Sequence, residues 1–366
     1  MMAGSLLCRI PPSVAIIGAG VSGLTTAVTL YRAIYGTDPD VWSDSGKRTV
    51  EIFDKNSVND GIGGQWNRAY ESACTQNTRD FYRLSHFSWE DAGLAHVGNN
   101  PTKSDVIQYW RVVTKRFRLG INFNHEVLCM EEAENPPGWR IKFKRSNGEV
   151  AWKSFDFVIV ATGTYDIKKR PKLEGEQEFL DAGGVICTAE NFHNASFINR
   201  RPMIVGFGKT ALDLACDAAR LHSSVGGKYG DESSVTHLFR KTRWAIPTHL
   251  FSLIPFEYVM FGRLSTVLMP CWGHPTAFED FFHHHFSLFI QFFWCKIVAS
   301  IFLISRMLSS KSRLEQAATP VEKITKEFRS SLGVIPSIYD SYVSSGKIVP
   351  IQGGLDMLLV SEYSSP

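Results

Sequence analysis

Near its start the chain reads Val14-Ala15-Ile16-Ile17-Gly18-Ala19-Gly20-Val21-Ser22-Gly23-Leu24. The first four residues of this stretch are apolar and mostly β-branched, which predicts a buried strand that ends at Gly18. Apolar residues at helical spacing follow from Leu24 to Tyr31 and predict a helix. Strand, glycine turn and helix in this order are typical of a dinucleotide site, where N–H groups at a helix N-terminus hold a pyrophosphate.

A second strand is predicted at 50–53, and it completes a βαβ unit. Asp54 follows this strand, at the place where an acidic residue accepts hydrogen bonds from ribose hydroxyls. The interval from Gly23 to Asp54 is longer than the pattern expects, because a polar stretch at 36–48 precedes the strand. We therefore predict a first nucleotide site formed by Gly18, Gly20, Gly23 and Asp54.

The same pattern recurs later as Met203-Ile204-Val205, a turn at Gly206-Phe207-Gly208 and an apolar helix face. The strand predicted at 235–239 ends in Arg240-Lys241, where an NAD site would carry a carboxylate. Two cations at this place favour a 2′-phosphate and hence NADPH, although a solvated surface pair is the alternative. The second nucleotide site is predicted to comprise Gly206, Gly208, Thr210, Ala211, Arg240 and Lys241.

Two such units predict an α/β fold with two Rossmann-like dinucleotide-binding domains. We place the first domain at 1–165 and the second at 166–335, and we expect an apolar, largely helical insertion at about 250–310. Residues 336–366 are expected to return to the first domain. Two dinucleotides in one chain imply that electrons pass between them.

The composition excludes several classes of function. The 366 residues include 39 Lys and Arg against 36 Asp and Glu, which gives no reason to expect a nucleic-acid partner. The seven cysteines have no CxxC spacing, which argues against a disulfide framework or a zinc site and favours a reducing compartment. Three consecutive histidines, His283-His284-His285, point in different directions on a helix, so we predict no metal there.

Several short motifs, taken in order, resemble those of flavin-containing monooxygenases. They are Gly18–Leu24, Gly63-Gly64-Gln65-Trp66, Gln76-Asn77-Thr78, Ala161-Thr162-Gly163-Thr164-Tyr165 and Gly206-Phe207-Gly208-Lys209-Thr210-Ala211. The segment 240–247 most resembles the plant and fungal branch, and the likeness covers about residues 13 to 350. No single motif is specific, whereas the ordered set is.

The resemblance implies FAD and NADPH as cofactors and assigns further residues. Asn77 matches an asparagine beside the flavin ring, and its amide offers both a donor and an acceptor; a turn-capping asparagine is the alternative. Two more groups match the loop around the FAD phosphates and the turn between the two domains: Gly63, Gly64, Gln65 and Trp66 in the loop, and Thr162 and Gly163 in the turn.

The implied activity is that of an N,N-dimethylaniline monooxygenase-like enzyme acting on a small molecule with O2. NADPH reduces FAD, and a C4a-hydroperoxyflavin transfers one oxygen to a soft nitrogen or sulfur nucleophile. Two alternatives stay open. One is Baeyer–Villiger oxygenation of a ketone, and the other is a truncated nucleotide-binding protein with little catalytic activity.

Two departures from the family pattern affect this expectation. In the family's FxGxxxHxxx(F/Y) pattern, Gly184 and Phe192 match, but Ala182 stands for the first aromatic residue and Thr188 for the histidine. His193 is a nearby alternative to that histidine. The family also continues beyond Pro350 into a segment that completes the FAD domain, so we expect a truncated chain that couples NADPH oxidation to oxygenation poorly.

An aromatic-rich run at 286–305 is about long enough to span a bilayer, but Gln291 and Lys296 interrupt it. We predict a helix that is buried or lies on a membrane surface, with peripheral membrane association through about 280–307. The expected location is the cytoplasm or the cytoplasmic face of a membrane, the endoplasmic reticulum being one candidate.

Overall fold

The computed structural model describes residues 12–41, 49–164, 170–192, 201–224, 234–260, 262, 268, 276–310, 320, 322–327 and 333–355. The chain divides into two compact units. The first comprises Met1–Ala69 and Arg79–Lys169, and the second comprises Tyr70–Thr78 and Arg170–Pro366. Tyr165 and His193 lie outside the described residues.

The first unit is built on a four-stranded parallel sheet. Its strands are β1 (Val14–Ile17), β2 (Val50–Phe53), β3 (Ile121–Asn122) and β7 (Phe157–Val160), in the order β3-β2-β1-β7. Helix α1 (Val21–Tyr35) connects β1 to the stretch before β2, and its apolar face, including Leu24, Ala27 and Val28, is buried in the core. A central β1 flanked by β2 and β7 is the strand arrangement that the βαβ pattern predicts.

Helix α3 (Lys103–Arg116) packs its apolar face into the same core, through Val106, Tyr109, Trp110 and Val113. The short helix α2 (Val58–Gly61) precedes it. Apolar spacing predicts a helix over 104–117 with Ser104 as its N-cap, but the N-cap in the structure is Thr102. The reason is a reciprocal capping box, in which the Thr102 hydroxyl accepts from the Asp105 N–H and the Asp105 carboxylate accepts from the Thr102 N–H.

A three-stranded antiparallel sheet of β4 (Glu126–Glu134), β5 (Pro137–Lys144) and β6 (Val150–Phe155) completes the first unit. The apolar run ending at Ala161 predicts one strand at about 151–161, but this is wrong, because the strand breaks at Asp156 into β6 and β7, which lie in different sheets. The Asp156 carboxylate accepts from the backbone N–H of Ser13 at 2.6 Å and from its hydroxyl at 2.7 Å. These bonds tie the break to the start of β1.

The second unit repeats the parallel arrangement with β8 (Met203–Val205), β9 (Val235–Phe239) and β14 (Ile348–Gln352), in the order β14-β9-β8. Helix α5 (Lys209–Ser224) follows β8, as the recurring pattern predicts. Helix α4 (Glu176–Asp181) precedes this sheet in the chain. Two parallel sheets, each with a glycine turn that leads into a helix, form the α/β architecture with two Rossmann-like domains that the sequence predicts.

Strand β14 lies in a segment that we expected to return to the first domain. It pairs in parallel with all five residues of β9, from Ile348 opposite Val235 to Gln352 opposite Phe239. Helix α11 (Tyr339–Ser344) leads into it, and Tyr339 and Val343 are buried. The described part of 336–366 therefore belongs to the second unit, because it supplies the outer neighbour of β9.

The insertion begins with short strands and continues as helices. Strand β10 (Ala245–Pro247) pairs with β13 (Gly333–Ile335), and β11 (His249–Leu250) pairs with β12 (Ile254–Pro255). The helices are α6 (Phe256–Met260), α7 (Ala277–His285), α8 (Ser287–Phe292), α9 (Ala299–Ser310) and α10 (Ile324–Glu327).

A π-helical turn, Phe293–Val298, joins α8 to α9. The predicted helix at 286–305 is confirmed as a continuous apolar helix over Ser287–Leu308, which we call the long apolar helix. By length and composition it is long and apolar enough to cross a membrane; an 18-residue stretch of it has a mean hydropathy of 2.0, and 28% of that stretch is buried inside the protein. Its buried face packs in the core of the second unit through Ile290, Trp294, Val298 and Phe302.

Candidate functional site

The first glycine turn is held together by backbone contacts that leave no room for side chains at two positions. Gly18 has a φ of +112°, and an ideal Cβ there would lie 2.4 Å from the Ala161 carbonyl oxygen. An ideal Cβ at Gly23 would lie 2.0 Å from the Gly18 carbonyl oxygen. The glycines at these positions let β1, β7 and α1 approach one another closely.

Gly20 differs from its two neighbours in the motif. It is the N-cap of α1 and supplies no side-chain cap, and the nearest heavy atom to an ideal Cβ there is the Gly64 Cα, at 3.7 Å. A Cβ at Gly20 would thus fit the fold, and we expect it to hinder a ligand at the first N–H groups of α1. These groups are the donors that hold a pyrophosphate at a helix N-terminus, so the turn fits the cofactor that the sequence predicts.

The Gly63-Gly64 loop packs directly on the first glycine turn. The Gly63 N–H donates to the Ala19 carbonyl at 3.3 Å, and an ideal Cβ at Gly64 would lie 2.8 Å from the Gly20 Cα. Both glycines have a positive φ, +90° and +55°. The structure thus brings together two glycine-rich motifs that are about 40 residues apart in the sequence.

The residues that follow this loop lie in a 3₁₀ helix, Gly64–Arg68. Gln65 is exposed, whereas Trp66 is half-buried and packs edge-on against Tyr82, with ring centroids 6.0 Å apart. At the end of β7, Thr162 and Gly163 are exposed, and Gly163 has a φ of +85°. All four stay predicted cofactor residues.

Asp54 is buried at the end of β2 and already carries hydrogen bonds. Its Oδ2 accepts from the Ala19 N–H at 2.7 Å, and its Oδ1 accepts from the Asn56 N–H at 2.8 Å. The carboxylate therefore braces the glycine turn, a role that the sequence did not indicate. Carboxylate oxygens have further lone pairs, so a contact with a ribose hydroxyl stays a prediction.

The second glycine turn is built on the same plan in the other unit. Gly206 has a φ of +117°, and its N–H donates to the Leu238 carbonyl at 2.8 Å. An ideal Cβ at Gly208 meets no heavy atom within 4 Å, whereas one at Gly206 would touch the Cβ of Ala211 at 3.8 Å. Gly208 and Thr210 are exposed at the start of α5, which fits an anion approaching that helix.

His237 lies in β9 and hydrogen-bonds to this turn, and no role was predicted for it from the sequence. Its Nε2 donates to the Gly206 carbonyl at 2.6 Å, and its Nδ1 accepts from the Tyr339 hydroxyl at 2.7 Å. The ring stacks on Phe207, with centroids 5.7 Å apart. Burial lowers the pKa of His237, which keeps the ring neutral. A histidine inside a predicted strand was the available signal.

Arg240 and Lys241 are both exposed directly after β9. The Lys241 Nζ lies 4.0 Å from a Glu322 carboxylate oxygen, and that lysine side chain is 72% exposed. The Arg240 backbone carbonyl accepts from the Gln352 side chain at 3.3 Å, so β14 supports the position of this residue. Both cations lie at the end of the strand that follows the glycine turn, where a 2′-phosphate is expected.

Asn77 belongs to the segment Tyr70–Thr78, which is part of the second unit. Its backbone carbonyl accepts from the Thr75 hydroxyl at 2.8 Å. The Thr78 N–H donates to the carboxylate of Glu257, a buried residue on α6, at 2.6 Å. The segment is thereby fixed to the insertion, a contact that no sequence pattern indicated.

The segment matching the FxGxxxHxxx(F/Y) pattern has a compact local structure. An ideal Cβ at Gly184 would lie 2.3 Å from the Phe179 ring, and Phe192 is buried. Ala182 ends α4 and is exposed, and Thr188 precedes a short 3₁₀ helix. Across the described parts of the chain, no group of three or more His, Cys, Asp or Glu side chains is arranged to hold a metal ion.

Comparison with known proteins shows which families and folds the chain is similar to. Residues 71–245 match the family model described as pyridine nucleotide-disulphide oxidoreductase. The chain is 26% identical over 368 residues to a probable flavin-containing monooxygenase 1 of Arabidopsis thaliana, covering 92% of this chain and 63% of that protein. It is 27% identical to a putative flavin-containing monooxygenase 2 of the same plant, covering 64% of this chain and 52% of the relative.

The chain therefore spans between half and two thirds of the length of these curated relatives. Among solved structures, a steroid monooxygenase with bound NADP superposes with a TM-score of 0.61 at 15% identity, over 93% of this chain and 65% of that one. A cyclohexanone monooxygenase superposes with a TM-score of 0.59 at 16% identity, over 93% of this chain and 67% of that one. At these identities the structures establish the fold.

Proposed function

We propose that this chain, which belongs with the flavin-containing monooxygenases, binds FAD at the first glycine turn and NADPH at the second. It uses them to oxygenate a small molecule. The observation that carries the proposal is the pair of glycine turns, each placed between a parallel strand and a helix N-terminus. The curated relatives support flavin-dependent oxygenation as the class of reaction.

The residues of this chain have separate parts in the proposed reaction. Gly20 and the first turn of α1 bind the FAD pyrophosphate, and Gly208 with the first turn of α5 binds that of NADPH. Arg240 and Lys241 neutralise the 2′-phosphate, and Asn77 hydrogen-bonds to the reacting cofactors. Bound FAD supplies the redox chemistry with O2, and the protein orients the reactants and excludes water.

We propose a soft nitrogen or sulfur nucleophile as the substrate. The resemblance in sequence to flavin-containing monooxygenases supports this class, whereas the likeness to cyclohexanone monooxygenase rests on fold alone. The test supplies the FAD-loaded chain with NADPH and either a thioether or a cyclic ketone, and identifies the products by mass spectrometry. We expect a sulfoxide as the product. The rate of its formation should fall in Asn77→Ala and stay at the parental value in Asn147→Ala, a substitution in an exposed loop.

Ester formation from the ketone without sulfoxide would replace this proposal with Baeyer–Villiger oxygenation. NADP+ binding without any oxygenated product or flavin retention would favour a nucleotide-binding protein. These outcomes separate the three candidate functions by product and by flavin content.

We also propose that the long apolar helix rests on a membrane surface on the cytoplasmic side. Leu288, Phe289 and Phe292 are exposed on it, Leu288 to 80%, beside the exposed Lys296. The opposite face of the helix packs in the protein core, since Trp294 and Phe302 are fully buried and Arg306 pairs with the buried Asp340. A helix of this kind lies in the interface and does not cross it.

Vesicle flotation tests the membrane proposal. We expect the chain to float with anionic vesicles and to be released by high salt or mild detergent, and Leu288→Ser with Phe292→Ser should abolish flotation. Phe81→Ser, an exposed aromatic substitution in the first unit, is the control. Resistance to alkaline carbonate extraction would contradict the proposal and indicate a span.

A further inference from the structure

A single carboxylate oxygen joins two functional parts of the second unit. Oδ2 of Asp213 accepts hydrogen bonds from both the Lys209 ammonium and the Tyr70 hydroxyl. The side chains of Lys209 and Asp213 are 15% and 12% exposed, and Tyr70 is buried. In such a shielded place, charged hydrogen bonds are stronger than at the surface.

Lys209 lies on the nucleotide side of this junction. It follows Gly208 directly and is the first residue of α5, so its backbone lies at the turn proposed to bind a pyrophosphate while its ammonium reaches one helical turn along α5 to Asp213. An anion at this helix N-terminus attracts the lysine as well as the backbone N–H groups.

Tyr70 lies on the other side, at the start of the segment Tyr70–Thr78 that carries Asn77. A second contact of the same kind joins the Ser72 hydroxyl to a carboxylate oxygen of Asp217, one helical turn after Asp213 on α5. The segment is thus attached along one face of the helix whose N-terminus is the nucleotide site.

We infer that Asp213 is a positioning residue that couples nucleotide binding to the placement of the Asn77 segment. When a phosphate shares the Lys209 ammonium, the Asp213 oxygen loses part of its cationic partner and accepts more strongly from Tyr70. Nucleotide binding therefore tightens the segment, and by linkage a docked segment tightens nucleotide binding. The inference rests on the proposed NADP(H) site at the second glycine turn.

Hydrogen exchange in the FAD-supplemented chain tests this coupling without any turnover. Deuterium uptake by a peptide covering Tyr70–Thr78 is followed by mass spectrometry with and without saturating NADP+, while calorimetry measures the affinity for NADP+. We expect NADP+ to slow exchange in this segment by about fivefold or more. A peptide covering α4 in the same unit should exchange at an unchanged rate.

Variants separate coupling from general stability. Tyr70→Phe keeps the ring and removes only the hydroxyl, so we expect NADP+ no longer to slow exchange in the segment and, by linkage, to bind up to about fivefold more weakly. Asp213→Asn should lose the response as well, without weaker NADP+ binding, because a negative charge beside the phosphate is removed. Tyr342→Phe, a half-exposed tyrosine on α11, is the matched control and should keep the parental response.

Two results would overturn the inference while leaving the NADP(H) site in place. One is NADP+ binding to the parent chain with no change in the exchange of the segment. The other is an undiminished response in Tyr70→Phe. A parent chain that does not bind NADP+ would instead remove the proposed function, and this inference with it.

Discussion

The carbonyl oxygen of Gly18 occupies the space that a side chain at Gly23 would need, because an ideal Cβ at Gly23 would lie 2.0 Å away from it. Both partners in this contact belong to backbone that is held in place by β1 and α1, so neither can move aside as a flexible side chain would. The close approach is therefore a requirement of the fold itself.

Gly23→Ala should accordingly destabilise the first unit, by about 2 kcal/mol or more. The measurement is urea unfolding followed by circular dichroism. Gly98→Ala is the matched control, because Gly98 has open space around its ideal Cβ position and no positive φ. Equal unfolding midpoints for the two variants would show that the turn is looser than described.

Stability of the second unit should fall as the pH falls below about 6.5, the ordinary pKa of histidine. Burial lowers the pKa of His237 in the folded protein, so the unfolded chain takes up a proton that the folded chain resists. The stabilisation present at neutral pH is then lost on acidification toward the lowered folded pKa. His237→Gln should lose part of this pH dependence between pH 7.5 and 5.5, and the exposed His96→Gln should keep it. If the free energy of unfolding depended on pH in the same way in all three proteins, the role assigned to His237 would be contradicted.

The buried ion pair between α9 and α11 should be sensitive to the loss of one partner. The Arg306 guanidinium donates to both carboxylate oxygens of Asp340, at 2.8 and 3.1 Å, and both side chains are almost fully buried. Asp340→Ala leaves a buried charge and should cost about 3–5 kcal/mol in the free energy of unfolding. Replacing both residues together with Leu and Met should recover much of that loss, as calorimetry would measure. A single variant as stable as the parent would show that the charge is readily hydrated.

The choice between NADPH and NADH should depend on Arg240. Loss of a charge-assisted contact with the 2′-phosphate in Arg240→Ala should weaken NADPH binding by about tenfold or more and leave NADH binding almost unchanged. Calorimetric titration of both nucleotides provides the measurement, and Arg145→Ala, at a half-exposed arginine of the first unit, is the control. An equal loss of affinity for the two nucleotides would show that Arg240 does not contact the 2′-phosphate.

The glycine turns and their flanking elements were predictable from sequence because the interactions that form them are local. The periodicity of 14–31 and the recurrence at 203–211 are sufficient to place both strands, turns and helices. The N-cap of α3 was predicted two residues too late, because a reciprocal capping box favours Thr102 over Ser104.

What could not be predicted depends on contacts distant in sequence. Strand β14 pairs with β9 more than 100 residues earlier, and His237 acts through a turn 31 residues away and a tyrosine 102 residues away. The contacts of Tyr70 and Thr78 with α5 and α6 are of the same kind. A single sequence contains no spacing rule for such pairs, so the one available signal among these residues was a histidine, His237, inside a predicted strand.

The decisive measurement is flavin retention by Gly20→Ala, because an ideal Cβ there meets only the Gly64 Cα, at 3.7 Å, and we expect a methyl group at this N-cap to hinder a pyrophosphate at the N-terminus of α1. The purified chains are incubated with FAD and passed through a desalting column, and the flavin-to-protein ratio is read from the visible spectrum. We predict about one FAD per chain for the parent and for Gly98→Ala, and little flavin in a Gly20→Ala variant with parental unfolding behaviour. A folded Gly20→Ala protein that retains as much FAD as the parent, or a parent chain that retains none, would contradict the account.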